Sequence, residues 1–104
     1  AIETLLRVFR EADADPSLRT ELVSALGRLG PEPSVVTTLA QALQDREVFI
    51  RRAAAGTLAQ FGASARSALP ALRTALSDTD PDVRASAQRA IEQMATGDAA
   101  VSGR

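Results

Sequence analysis

The stretch Asp78–Met94, DTDPDVRASAQRAIEQM, decides the fold, because closely similar stretches occur twice more in the chain. One is Asp45–Gly62, DREVFIRRAAAGTLAQFG, which begins 33 residues earlier. The other is Asp13–Gly30, DADPSLRTELVSALGRLG, which begins 32 residues before that. Repetition with a period of this length is typical of proteins built from stacked helical units. The sequence therefore predicts an all-α solenoid.

The helices follow from the spacing of apolar residues within each copy. Intervals of four, four and three give one apolar face to a helix. That face comprises Leu18, Leu22, Leu26 and Leu29 in the first copy, Ile50, Ala54, Leu58 and Phe61 in the second, and Val83, Ala87, Ile91 and Met94 in the third. A second run with helical spacing precedes each of them. We expect six helices, at about 2–12, 16–29, 34–44, 48–61, 64–77 and 81–95.

These helices form three pairs, which we assign to repeats at about 2–30, 31–62 and 63–96. Together they make one domain, 1–96, and residues 97–104 read as a flexible C-terminal tail. Pro70 falls inside the fifth predicted helix, and we expect it to kink that helix. The alternative is a helix that starts at Pro70, with Ala63–Leu69 as a loop.

Composition excludes several classes of function. The chain has 12 basic and 13 acidic residues, and a net charge of -1 gives no reason to expect nucleic acid or an anionic membrane as partner. It contains no His and no Cys, which removes the commonest general base and the commonest metal ligands. We therefore expect no enzyme, no cofactor and no metal site. The absence of Cys also leaves the cellular compartment open.

At this point the residues resemble a known family. The pattern Asp78-x-Asp80-Pro81-x-Val83-Arg84-x-x-Ala87-x-x-Ala90-Ile91 resembles the second helix of HEAT repeats, especially the short bacterial type similar to phycobilisome-lyase HEAT-like repeats. Residues 68–76 resemble the matching first helix. The resemblance covers residues 2–95 and implies three antiparallel helix pairs stacked as a right-handed solenoid, with protein binding or scaffolding as the usual role.

A ladder of charged residues recurs with the repeats. Its members are Asp13, Arg19, Asp45, Arg51, Asp78 and Arg84. Arg is well shaped for bidentate pairing with a carboxylate. We expect each Arg to pair with a turn Asp of its own or the next repeat, which gives the ladder a structural role rather than an anion-binding one.

The resemblance also implies that second helices line a concave face. The residues opposite the apolar stripe are then candidates for partner binding: Thr20, Val23, Ser24, Arg52, Ala55, Gly56, Ala59, Ala85, Gln88, Arg89 and Glu92. A helix or an extended peptide would fit such a surface. The alternative is that these are solvent positions filled with good helix formers.

Phe49 stands out because the matching residues in the other repeats, Ser17 and Asp82, are polar. An exposed Phe at this position would be an anchor for a partner. The alternative, which we favour, is that the ring tucks under the neighbouring turn beside Val48.

The first helix carries more apolar residues than its stripe requires. They are Ile2, Leu5, Leu6, Val8 and Phe9. We expect this surface to be covered by preceding sequence of a longer protein, of which this chain is the C-terminal part, or to self-associate. The leading function is a non-catalytic interaction or scaffolding module that binds a protein partner or the rest of its own chain. The alternatives are a docking appendage of an enzyme and a structural spacer.

Overall fold

The computed structural model describes residues 2–11 and 15–102, although not the side chains of Ile2, Pro16 and 96–102. Its α-helices are α1 (Ile2–Glu11), α2 (Pro16–Leu29), α3 (Pro33–Ala42), α4 (Val48–Phe61), α5 (Leu69–Ala75) and α6 (Pro81–Ser102), and a 3-10 helix, Gly62–Ala68, precedes α5. The described residues contain no strand. Helices α1 to α4 begin and end within two residues of the predicted positions.

The ends of α2 show how the local sequence sets a helix. The Asp15 carboxylate accepts the N–H of Ser17 at 3.0 Å and that of Leu18 at 3.3 Å, which caps the first turn. At the other end the chain turns at Gly30, whose φ of 96° is readily adopted only by glycine. Gly62 ends α4 in the same way, with a φ of 61°.

The predicted kink at Pro70 is wrong, because the chain does not form one continuous α-helix over 64–77. Residues Gly62–Ala68 form a 3-10 helix, in which Ala65 departs from helical geometry with φ −102° and ψ 23°. Proline inside a helix would remove a hydrogen bond and clash with the preceding turn. Pro70 lies instead in the first turn of α5, where its missing N–H costs nothing. The alternative start at Pro70 is nearer the truth, but the preceding segment is 3-10 helix rather than loop.

The helices pack as a solenoid-like repeat. Helix α2 lies against α4 and α4 against α6, while α1, α3 and α5 each pack on the second helix of the same repeat. The core lies between these layers, and its fully buried side chains include Leu26, Leu39, Ile50, Leu58, Leu72 and Val83. The right-handed sense of the superhelix stays a prediction.

Helix α6 is longer than the sequence predicts, since it continues through residues 97–102, which we expected to form a tail. Gly97 is tolerated at a cost of about 1 kcal/mol relative to alanine. Asp98–Ser102 contains two alanines and no proline, so that it can continue the helical backbone. The flexibility of this segment stays a prediction.

Candidate functional site

The predicted ladder residues meet across the boundaries between repeats. Arg19 lies 2.6 Å from the Asp45 carboxylate of the second repeat. Arg51 donates to the Asp78 carboxylate of the third repeat from Nε at 2.9 Å and from Nη2 at 3.3 Å. These side chains are only 11 to 16% exposed. The side-chain pairing therefore runs forward, from the Arg of one repeat to the Asp of the next.

The same residues also fix the turn of their own repeat. Arg51 Nη1 donates to the backbone oxygen of Asp45 at 2.9 Å, and Arg84 Nη1 donates to that of Asp78 at 2.8 Å. The Asp45 carboxylate accepts the Glu47 N–H at 2.9 Å. The donors of Arg51 are thus used inside the protein, which leaves them unavailable to an external anion. Asp13 lies outside the described residues.

The electrostatics of Asp45 reflect these contacts. Burial would raise the pKa of its carboxyl, but hydrogen bonds from Arg19 and from the Glu47 amide outweigh burial, so that the pKa lies below its ordinary value. Arg19 is held in place by a further contact, since its guanidinium carbon lies 4.8 Å from the ring centroid of Phe9.

A second ion pair crosses from the second to the third repeat, and sequence analysis missed it. Arg52 donates to both carboxylate oxygens of Asp80, from Nη2 at 2.7 Å and from Nε at 3.0 Å. Asp80 also accepts the N–H of Val83 at 2.9 Å, which caps α6. The signal was the spacing: Arg52 precedes Asp80 by 28 residues, close to the 27 that separate Arg51 from Asp78.

This pair shifts the proton affinity of both members. The hydrogen bond from Arg52, opposed by burial and assisted by the Val83 amide, lowers the pKa of Asp80 to about 2. The same hydrogen bond raises the pKa of Arg52. Arg52 therefore holds α4 against the start of α6, although we expected it to be available to a partner on the concave face.

Three of the predicted partner-binding residues are buried. Val23 and Ala55 have no exposure, and Ala59 is 2% exposed. The prediction was wrong for Val23 and Ala55, because each second helix packs sideways on its neighbours as well as on the first helices, so that more than one stripe of it is buried. Correspondingly, Leu18 and Leu29, at the two ends of the predicted stripe, are each 42% exposed.

The exposed face of the second helices carries a groove of about 540 Å³ between α2, α4 and α6. Its lining residues are Ser24, Ala53, Gly56, Thr57, Ala59, Gln60, Arg89 and Gln93. Four of these were predicted, namely Ser24, Gly56, Ala59 and Arg89. We call this surface the second-helix groove. Of the remaining predicted residues, Ala85, Gln88 and Glu92 are exposed on α6, where Gln88 donates to Glu92 at 3.2 Å.

Two glycines beside the groove differ in their surroundings. A Cβ added at Gly27 would lie 3.0 Å from Thr57 Cγ2, so that Gly27 allows α2 and α4 to approach closely. A Cβ added at Gly56 would have nothing within 4 Å. Packing within the described chain therefore explains Gly27 but not Gly56.

Phe49 is 59% exposed, and the alternative in which its ring is covered by the neighbouring turn is wrong. The Arg52 guanidinium lies over the ring, 5.4 Å from its centroid. Phe49 also forms one wall of a pocket of about 350 Å³ whose other walls are Ser17, Thr20 and Glu21 of α2. We call this the Phe49 pocket. It continues the exposed face of α2 and α4 that leads to the second-helix groove.

The first helix offers less apolar surface than predicted. Leu6 and Phe9 are each 4% exposed and belong to the core, and Leu5 packs partly buried against it. Val8 is 38% exposed, and the side chain of Ile2 lies outside the description. The exposed apolar surface of α1 is smaller than predicted because the Leu6 side chain is buried in the core.

Neither a metal centre nor a membrane span emerges from residues 2–11 and 15–102. Among the side chains that the structure describes, no group of three or more acidic residues is arranged to hold a metal ion. No helix in the same residues combines the length and the hydropathy needed to cross a bilayer.

A family model of HEAT repeats matches residues 2–92, which is most of the chain. No curated protein matches the sequence. The family match does not separate the short bacterial type from other HEAT repeats. Proteins of this kind generally mediate protein–protein interaction and are typically non-catalytic. With its repeated helix pairs and this match, the chain belongs to the HEAT-repeat family.

Proposed function

We propose that this chain is a non-catalytic protein-interaction module that binds its partner in the second-helix groove. The carrying observation is Gly56, a glycine in the interior of α4 that faces open space. Glycine there weakens the helix by about 1 kcal/mol relative to alanine. Without an internal packing reason, the missing side chain has its natural explanation in a partner that approaches the backbone of α4.

The lining of the groove supports the same proposal. Ser24, Gln60 and Gln93 offer uncharged hydrogen-bonding groups, and Arg89 adds an exposed cation at the α6 side. Such a mixture of small and polar side chains suits a helix or an extended segment of a partner. It lacks the His, Cys or paired buried carboxylates around which hydrolytic and transfer reactions are usually built.

The experiment is affinity capture from the source cells with three versions of the protein. Gly56→Gln fills the groove, whereas Thr37→Gln places the same side chain on an exposed position of α3, away from the groove. A partner that is retained by the wild type and by Thr37→Gln, and lost by Gly56→Gln, supports the proposal. A partner that is equally retained by all three places binding elsewhere.

Arg89→Glu provides an independent test of the same groove. Arg52→Glu is unsuitable, because it would break the ion pair with Asp80 and confuse lost stability with lost binding. Thermal melts of each variant show whether the fold is kept. If the wild type captures no partner, the spacer alternative gains support.

A further inference from the structure

We propose that the Phe49 pocket receives a basic side chain, Lys or Arg, of the protein partner. This inference rests on the proposed function, since the pocket extends the face that carries the second-helix groove. It adds the chemistry of the partner at one end of that face.

The first argument is the exposure of the ring. At 59%, Phe49 is the most exposed of the large hydrophobic side chains in the described residues. The matching positions carry Ser17 and Asp82, so that the repeat itself does not require an aromatic residue here. Aromatic residues are enriched among the side chains that dominate protein interfaces.

The second argument is the chemistry of the pocket walls. Glu21 is the one charged side chain among the four residues that line the pocket, and it is exposed. Within the described residues it forms no ion pair. A carboxylate beside an aromatic ring that is 59% exposed attracts a cation through both its charge and the ring quadrupole. An apolar side chain of the partner would leave Glu21 unpaired, and an acidic one would be repelled.

The third argument is the charge around the pocket. Asp15 and Asp82 are exposed at the starts of α2 and α6. Arg52, whose guanidinium lies over the Phe49 ring, is paired with Asp80 and does not line the pocket. Its position over the Phe49 ring shows that a guanidinium is accommodated on this aromatic side chain. The charges of these side chains therefore favour a basic side chain of the partner.

The test begins with random linear peptides displayed on phage and selected on the wild-type protein, with counter-selection on Gly56→Gln. The affinities of the selected peptides are then measured by fluorescence anisotropy. We expect the peptides to be enriched in Lys or Arg, and replacement of one such residue by Gln to weaken binding roughly fivefold. Glu21→Gln should weaken the original peptide by a similar factor and leave the replaced peptide unaffected.

Two variants at position 49 separate the contributions of the ring. Phe49→Ser introduces the residue of the first repeat and should weaken the preference for basic peptides, while Glu21 maintains part of it. Phe49→Leu keeps an apolar side chain but removes the aromatic face, and it should weaken that preference to a similar extent. Position 49 is exposed, so both variants are expected to fold, which a thermal melt verifies.

The outcomes distinguish this inference from the proposed function. The inference is overturned if the selected peptides contain no basic residues. It is also overturned if their affinities are the same for the wild type, Glu21→Gln and both position-49 variants. Either result still supports binding in the groove. If no peptide prefers the wild type to Gly56→Gln, both proposals fail. Basic peptides that respond to Glu21 and Phe49 as described support both.

Discussion

The Arg52 guanidinium and the Asp80 carboxylate form a two-pronged ion pair between α4 and α6, with contacts of 2.7 and 3.0 Å. The same carboxylate accepts the N–H of Val83. The Asp80 side chain therefore joins the second and third repeats and also caps α6. Its loss should affect both the boundary between the repeats and the start of α6.

We expect Asp80→Ala to destabilise the protein more than Arg52→Ala, because the first change also removes the cap of α6. In a double-mutant cycle measured by urea unfolding, the two changes should be less than additive. Asp82→Ala is the matched control, since this side chain is 72% exposed and lies 3.6 Å from Arg52. Equal losses for Asp80→Ala and Asp82→Ala would contradict the dual role of Asp80.

The low pKa of Asp80 makes stability depend on pH in acid. Its carboxyl has a pKa of about 2 in the folded protein against an ordinary value of 3.8. A group with a depressed folded pKa stabilises the protein above the unfolded value, and this contribution is lost as pH falls through the folded value. Asp45, whose pKa is also lowered, acts in the same direction.

Thermal melts in buffers between about pH 7 and pH 2 measure this dependence. The melting temperature of the wild type should exceed that of Asp80→Asn at neutral pH, and the difference should shrink between pH 3.8 and about 2. A difference that stays constant over this range would show that Asp80 ionisation does not contribute.

Gly56→Ala should stabilise the protein by about 1 kcal/mol, because the added methyl group meets open space and alanine favours the helix. Gly27→Ala is the matched control in the neighbouring helix. Its methyl group would lie 3.0 Å from Thr57 Cγ2, and the Thr57 side chain is held by a 2.8 Å hydrogen bond to Ala53. Gly27→Ala should therefore stabilise the protein much less than Gly56→Ala. Chemical denaturation of both variants gives the comparison.

Leu58→Ala should cost about 3 kcal/mol, since Leu58 is fully buried in the middle repeat. Leu58→Asp should unfold the domain, because a buried unpaired charge exceeds what a small domain can absorb. Leu76→Ala, at a side chain that is 40% exposed, serves as control with a loss below about 1 kcal/mol. A cooperative melt of Leu58→Asp at the wild-type temperature would contradict the helix packing.

Arg51→Ala should cost about 1 to 3 kcal/mol, because the nearly buried Asp78 carboxylate loses its ion-pair partner and keeps only the hydrogen bond from the Asp80 N–H. Arg84→Ala removes an exposed side chain whose described contact is with the Asp78 backbone oxygen, and it should change stability by less than about 0.5 kcal/mol. Urea unfolding of the two variants tests the difference. Similar effects would show that the forward pairing contributes little.

Much of the fold is predictable because its signals are local or repeated. The period, the apolar stripes and the Asp turns identify the helices α1 to α4, and the recurring Arg and Asp positions anticipate their contacts. The start of α5 was missed because two competing effects act at Pro70, helical spacing of apolar residues and loss of an N–H, and the sequence does not rank them.

The site was harder to predict because burial depends on neighbours on both sides of a helix. Val23 and Ala55 look like solvent positions on an isolated amphipathic helix, yet the adjacent second helices cover them. The exposure of Phe49 likewise depends on how far α2 lies from α4. The distance between α2 and α4 cannot be predicted from the pattern of side chains within one repeat.

The two repeat boundaries are chemically different, so the contacts between repeats depend on the order of the units. At the position after the ladder Arg the three repeats carry Thr20, Arg52 and Ala85, and Arg52 bridges to Asp80. If the middle unit were duplicated in tandem, its Arg52 would meet Glu47, whose side chain does not cap α4. A tandem copy of the middle unit would therefore keep a pair of opposite charges at the boundary but lose the helix cap that Asp80 provides.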